Sequence, residues 1–180
     1  MGTPSLVVSN LTKFYGKLMA VDGLDLTLQS GTIHGLVGPN GAGKTTVLSV
    51  IAGLRERTSG EIHFGVPIDK VILMPDTPEF FDFLTAREVV DLARSPFAAE
   101  VSEELVQQVI EEVGLADSID RRVGGFSRGM KQRLGLATTI IGMPELILLD
   151  EPCSALDPIG RRDVLNLVKN FKGKSTVLFS

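Results

Sequence analysis

Gly38-Pro39-Asn40-Gly41-Ala42-Gly43-Lys44-Thr45 has the full G-x-x-x-x-G-K-[ST] spacing, with Thr46 next. This arrangement suits a chain of phosphates. Its glycines let the backbone come close to an anion, and a turned backbone aims its N–H groups inward as a nest. A helix opening near Lys44 adds the partial positive charge of its N-terminus. Lys44 is expected to reach the outer phosphates and the Thr45 hydroxyl to ligate Mg²⁺. A second chemical pair stands well downstream, where the apolar run Leu146-Ile147-Leu148-Leu149 ends in Asp150-Glu151-Pro152. Such a run suits a parallel strand buried on both faces, and ligands in parallel sheets sit beyond the carboxyl ends of the strands. Asp150 is therefore expected to face the metal, directly or through water. Glu151, one residue on, is placed to polarise a water in line with the γ-phosphate.

These groups need elements to hold them. Thr32–Val37 reads as a buried strand leading into the loop, and 46–52 as the helix leaving it. Residues 5–36 alternate apolar and polar in several short runs, such as Leu24-Asp25-Leu26-Thr27-Leu28, and predict short antiparallel strands with a turn at Ser30-Gly31. Ser59-Gly60 closes the helix region, Glu61–Phe64 resumes a strand, and Val71–Met74 forms another buried one. A helical stretch follows. Thr85-Ala86-Arg87-Glu88 is a capping box, and Ser102-Glu103-Glu104 opens a helix with Leu105, Val109 and Val113 on one stripe. Ser127 is an N-cap for a helix Arg128–Ile141, which stops before Pro144. Asp157-Pro158 is an N-cap and N1 pair for a helix running toward Phe171. The sum is an α/β chain.

Composition sets limits. The 180 residues suffice for one sizeable core, or a core with a small subdomain. A net charge of −4 gives no support for a nucleic-acid-binding surface. The single cysteine, Cys153, excludes an internal disulfide framework and reads as a small filler residue. No apolar run approaches the ~20 residues that span a bilayer, and the N-terminus lacks a secretory signal pattern. Membrane association is therefore expected only through a partner.

The segment Gly125–Ala137 resembles the signature segment of ABC-transporter ATPase domains. The family's Leu-Ser-Gly-Gly-Gln core stands here as Phe126-Ser127-Arg128-Gly129-Met130, and Ser154-Ala155-Leu156-Asp157 resembles the family's D-loop. Tyr15, ahead of Ala20-Val21-Asp22-Gly23, falls where the family places an aromatic that stacks on adenine; its plainer reading is half-buried packing beside Phe14. The resemblance covers essentially the whole chain, with its motifs in order. It implies a P-loop NTPase three-layer core with an N-terminal antiparallel β subdomain and an inserted helical subdomain. The expected layout is one domain over 1–180, with core and β subdomain in 1–77 and 141–180 and the helical signature subdomain in 78–140. Strand 175–179 is expected between the phosphate-loop strand and the strand ending at Asp150.

By the same resemblance the ligands are ATP and Mg²⁺, and Ser127, Arg128, Gly129 and Asp157 join the phosphate loop among the nucleotide-contacting residues. The expected function is ATP binding and hydrolysis by a head-to-tail dimer of two ATPase subunits, a homodimer, driving a separate transmembrane permease at the inner, cytoplasmic face of the cell membrane. The signature and loop resemble the exporter-type branch most. An ABC ATPase acting on DNA or ribosomes is the alternative, although such proteins usually carry two domains or long inserts. A P-loop kinase or GTPase fits less well, because the signature and D-loop are present and an Asn-Lys-x-Asp guanine motif is absent.

Four features depart from the family. Asp76 stands after Pro75, where a Gln near the metal is usual. A carboxylate there binds Mg²⁺ more strongly but repels the γ-phosphate; it also reads simply as a turn acid. Met130 replaces the signature Gln, and the segment from Gly60 to Met74 is short. Finally, Lys174–Ser180 resembles the strand leading to the family's switch histidine, which follows one or two residues after such a Ser. His34 and His63 both sit in strand contexts and do not replace it. The expectation is an ATPase domain truncated before that histidine, which binds ATP but hydrolyses it poorly.

Overall fold

The computed structural model describes residues 3–97, 101–154 and 156–180. The alternating N-terminal segment forms two long strands, β1 (Pro4–Tyr15) and β2 (Leu18–Gln29), rather than several short ones. Register shifts along their antiparallel ladder absorb the breaks in alternation, as at Val8/Leu11, where Asn10 takes a φ of +50°. Bulges of this kind let pairing continue past an out-of-phase residue. After β3 (Ile33–Gly35) and α1 (Lys44–Ile51), β4 (Ser59–Phe64) pairs with the other edge of β1, so Ser59 and Gly60 belong to a strand. The result is a three-stranded sheet ordered β2-β1-β4.

The second sheet contains β5 (Val71–Met74), β6 (Leu146–Leu149) and β7 (Thr176–Phe179), in the order β3-β7-β6-β5. β7 runs parallel to both β3 and β6. It lies, as expected, between the strand that enters the phosphate loop and the strand that ends at Asp150. All four residues of β6 are buried, as its unbroken apolar run requires.

The chain divides into two compact units. The first holds Met1–Leu73, Glu145–Glu151 and Phe171–Ser180. Its core joins Val47, Leu48, Val50 and Ile51 of α1 to Leu6, Val8 and Leu11 of β1, and to Leu146, Leu148 and Leu178 of the parallel sheet. Each such buried side chain contributes about 1.5–3 kcal/mol by transfer from water. One polar knot sits among them: Ser5 Oγ and Thr176 Oγ1 are 2.7 Å apart and buried, and the Gly31 N–H donates to Thr176 Oγ1 at 3.0 Å.

The second unit holds Met74–Pro144 and Pro152–Asn170. It carries α2 (Ala86–Arg94), α3 (Glu103–Glu112), α4 (Arg128–Ile140) and α5 (Pro158–Lys169). The capping box at α2 forms in full: Glu88 N–H donates to Thr85 Oγ1, and the Thr85 N–H donates to the Glu88 carboxylate. In α3 the buried face is centred on Val106, Val109 and Ile110 with Val113, and Leu105 is half-buried at its edge. The set 106, 109, 110, 113 follows the helix period, whereas 105, 109, 113 drifts off it. In α4, Gly135 packs so closely that a Cβ would stand 2.6 Å from Pro78 Cγ. α5 ends at Lys169, short of Phe171.

Candidate functional site

The phosphate loop lies between β3 and α1. Gly43 is the N-cap of α1, with a φ of +86° and no side-chain cap. A Cβ there would stand 2.2 Å from the Ala20 carbonyl oxygen, so only glycine fits. The first N–H groups of a helix have no partner within it, and together with the helix dipole they form an anion site. Lys44 Nζ donates to the carbonyls of Gly38 and Pro39 at 3.1 and 3.2 Å, which holds the ammonium against the loop. The Ala42 N–H closes a turn on the Pro39 carbonyl at 3.1 Å.

A pocket of about 300 Å³ opens here. Asn40, Gly41, Gly43, Lys44, Thr45 and Thr46 line it from the loop side, with Tyr15, Leu18 and Ala20 from β1 and β2, and Glu151 beyond β6. Gly38, Pro39 and Ala42 are outside this lining. The Tyr15 ring is half-exposed and faces two cations, Lys13 Nζ at 5.0 Å and the Arg55 guanidinium at 5.6 Å from its centroid. An aromatic face that attracts cations also offers a stacking surface. Neither histidine lines the pocket: His34 Nε2 is 2.6 Å from Thr32 Oγ1, and His63 Nε2 is 3.0 Å from Glu61.

Asp150 is 6% exposed at the end of β6. Its Oδ1 accepts two hydroxyls, Thr45 Oγ1 at 3.1 Å and Ser180 Oγ at 2.9 Å. Ser180 Oγ also accepts the Glu151 N–H at 2.8 Å, and the Ser180 N–H donates to the Leu149 carbonyl at 3.0 Å. Glu151 itself has a φ of +45°. The Thr45 hydroxyl gives its one hydrogen to Asp150 and keeps lone pairs on its oxygen. This hydroxyl and carboxylate pair is the hard oxygen set that Mg²⁺ prefers. Among the described residues no group of three or more His, Cys, Asp or Glu gathers. A cation at Thr45 and Asp150 would thus draw its other ligands from phosphates and water, as Mg²⁺ commonly does. Sequence reasoning placed strand 175–179 beside the one ending at Asp150 but passed over Ser180 as a site residue, because the register that sets its hydroxyl against Asp150 is not written in residue type.

The other expected site residues lie in the second unit. Asp76 accepts a hydroxyl on each carboxylate oxygen, from Ser154 on Oδ1 and from Thr77 on Oδ2. Ser127 caps α4, its Oγ accepting the Met130 N–H at 3.2 Å, with Arg128 and Gly129 in the first turn. Asp157 caps α5 by accepting the Gly160 N–H at 2.7 Å. Ala155 of the D-loop resemblance lies outside the described residues. Burial pushes the Cys153 thiol above its usual range, against the opposing pull of Arg161. This is the character of a filler residue rather than an activated nucleophile.

A loop of this geometry opening α1, with a carboxylate at the end of a strand in the same parallel sheet, defines a phosphate-binding α/β protein. Comparison with known proteins narrows the class. Residues 21–154 match the family model described as ABC transporter. The chain is 39% identical over 181 residues to the ABC transporter ATP-binding protein YxlF of Bacillus subtilis, covering 97% of this chain and 61% of that one. It is 39% identical over 181 residues to the bacitracin transport ATP-binding protein BcrA of Bacillus licheniformis, covering 95% and 59%. The lantibiotic transport ATP-binding protein SrtF of Streptococcus pyogenes is 34% identical over 182 residues, with 97% and 79% covered. Among solved structures, an ABC transporter ATP-binding protein from Pyrococcus furiosus superposes with a TM-score of 0.86 at 26% identity, covering 97% of this chain and 90% of that one. The chain belongs to the ABC transporter ATP-binding family, and its fold is the P-loop NTPase fold with the antiparallel β subdomain that the resemblance implied. It spans about three fifths of the length of YxlF and BcrA. Among the described residues no helix is long and apolar enough to cross a membrane.

Proposed function

We propose that this chain is the nucleotide-binding part of a transporter ATPase that binds ATP with Mg²⁺ and couples its hydrolysis to export through a separate membrane permease. The observation that carries this reading is the single pocket that joins the uncapped α1 N-terminus, Lys44, Thr45, Tyr15 and Glu151. Loop N–H groups and Lys44 would hold the phosphates, with Lys44 exchanging its Gly38 and Pro39 carbonyls for phosphate oxygens. Tyr15 would stack on the adenine. Thr45 and Asp150 would hold Mg²⁺, which screens the phosphate charge. Asp76 is proposed as a further metal-facing oxygen, reached by giving up its Ser154 and Thr77 hydroxyls. Glu151 would take a proton from water as the water oxygen bonds to the γ-phosphorus and the bond to ADP breaks.

Ser127, Arg128, Gly129 and Asp157 are proposed to contact nucleotide held by a second copy in a head-to-tail homodimer. A role in transport is supported by the relatives named for lantibiotic and bacitracin transport; export from the cytoplasmic face is proposed on the resemblance of the signature and loop to the exporter-type branch. The net charge of −4 supports a partner other than nucleic acid.

Calorimetric titration with ATP and Mg²⁺ tests the core of this reading. Lys44→Ala should lose affinity clearly, and equal affinity in both forms would overturn it. Asp76→Asn should raise the Mg²⁺ concentration needed for half-maximal ATP binding; an unchanged midpoint removes Asp76 from the metal site. With no histidine in the pocket lining, the 180-residue polypeptide should bind ATP yet hydrolyse it slowly, and turnover near the about 10 s⁻¹ typical of enzymes would contradict that. In a form that turns over, Glu151→Gln should slow hydrolysis by about 10²–10⁴. Co-purification with a membrane protein tests the permease.

A further inference from the structure

We infer that Ser180 is a positioning residue whose one hydroxyl sets both consecutive acids, the carboxylate of Asp150 and the backbone of Glu151, toward the bound metal and nucleotide. The inference rests on the proposed reading of Asp150 as the metal-holding acid. A serine hydroxyl has one hydrogen to give and two lone pairs to receive with. Ser180 uses both capacities on adjacent residues: it donates to Asp150 Oδ1 at 2.9 Å and accepts the Glu151 N–H at 2.8 Å. Its own N–H anchors it to the Leu149 carbonyl at 3.0 Å, one residue before the pair. The hydroxyl is therefore fixed by the β6–β7 ladder and not by a flexible side chain alone.

Two features of the carboxylates show what this fixes. Glu151 has a φ of +45°, a left-handed conformation that a non-glycine residue keeps only when its surroundings impose it. The bond from its N–H to Ser180 is such an imposition. Asp150 Oδ1 receives hydroxyls from both Thr45 and Ser180. Two donors on one oxygen fix the carboxylate plane, and they leave Oδ2 as the oxygen to turn toward a cation or its water. With alanine in place of Ser180, Asp150 would keep only the Thr45 bond, and the Glu151 N–H would lose its acceptor.

The test uses Ser180→Ala and the conservative Ser180→Thr, with two readouts. Exchange of the Glu151 backbone amide with solvent should rise about tenfold in Ser180→Ala, the effect expected of one lost hydrogen bond. Ser180→Thr, which keeps the hydroxyl, should return it close to the original rate. The Mg²⁺ midpoint for ATP binding should rise several-fold in Ser180→Ala, with ATP affinity in the absence of metal unchanged. A purely structural role would lower both affinities together, and that result overturns the inference. An unchanged Glu151 exchange rate also overturns it. A stability cycle with Glu151→Gly adds a readout that does not depend on nucleotide. Glycine adopts a positive φ freely, so Ser180→Ala should destabilise the Glu151→Gly variant less than the original chain; equal losses count against the clamp. Absence of any Mg²⁺ dependence in the unsubstituted chain would instead overturn the reading of Asp150, while the amide exchange still reports on the clamp.

Discussion

The N-terminus of α1 differs from those of the other four α-helices among the described residues. α2, α3, α4 and α5 open on Thr85, Ser102, Ser127 and Asp157, and in each case the side-chain oxygen accepts the N–H three residues on. α1 opens on Gly43, which has no side chain to offer. A capping oxygen satisfies one of the free N–H groups of a helix start. α1 leaves all of its first donors without a side-chain partner. The fold can spare one such end because α1 is held by its apolar face, with Val47, Leu48, Val50 and Ile51 all buried, whereas the amphipathic helices of the second unit gain from each cap.

Breaking the exceptional end should have the largest effect. Gly43→Ala forces a Cβ against the Ala20 carbonyl at a φ of +86°. The cost should be about 3 kcal/mol or more, with loss of ATP binding, read by denaturant unfolding and titration. Gly41→Ala sharpens this result. Gly41 has a φ of +81° but nothing within 4 Å of a Cβ, so only conformational strain of about 1 kcal/mol is expected. Removing an ordinary cap gives the contrasting result: Thr85→Ala or Ser102→Ala should each cost about 1 kcal/mol of stability and leave ATP affinity unchanged. If either cap substitution weakens ATP binding as Gly43→Ala does, the distinction between the two kinds of helix end fails.

The smallest effect is a pH dependence confined to α2. The bonds from Thr85 hold the Glu88 carboxyl below its ordinary value of 4.5. A lowered carboxyl stabilises the fold above its unfolded value, and this contribution is lost as the pH falls through the folded one. The protection of first-turn amides of α2 against exchange, taken relative to their intrinsic rate at each pH, should therefore fall below about pH 4.5, and Glu88→Gln should remove most of that dependence.

The positions of the loop and of the helix starts were legible in the sequence because they depend on neighbours in the chain. The spacing from Gly38 to Thr45 and the caps at Thr85, Ser127 and Asp157 are local patterns. The buried run Leu146–Leu149 announced β6 for the same reason, and the family pattern placed β7 beside it. What escaped depends on registers between distant segments. The hydroxyl of Ser180 matters only once β7 is aligned with β6, and the hydroxyl on Asp76 Oδ1 comes from Ser154, far along the chain. The length of β1 and β2 escaped because bulges hide continuity from any rule of strict alternation. The left-handed backbone at Glu151 carries no signal in residue type at all.

The position of β7 also sets an order of events during synthesis. It is an interior strand of the parallel sheet but the last of the described strands to be made, and its Thr176 hydroxyl meets the Gly31 N–H across 145 residues. Until those residues leave the ribosome, β3 has no neighbour in its sheet and Ser5 lacks its buried partner. α2, α3 and α4 of the second unit are complete earlier and pack on one another, so they can assemble without β7. Long loop closures are slow to form. A nascent chain should thus hold its phosphate loop unformed while the intervening helices assemble, and become able to grip nucleotide only once β7 has slotted in.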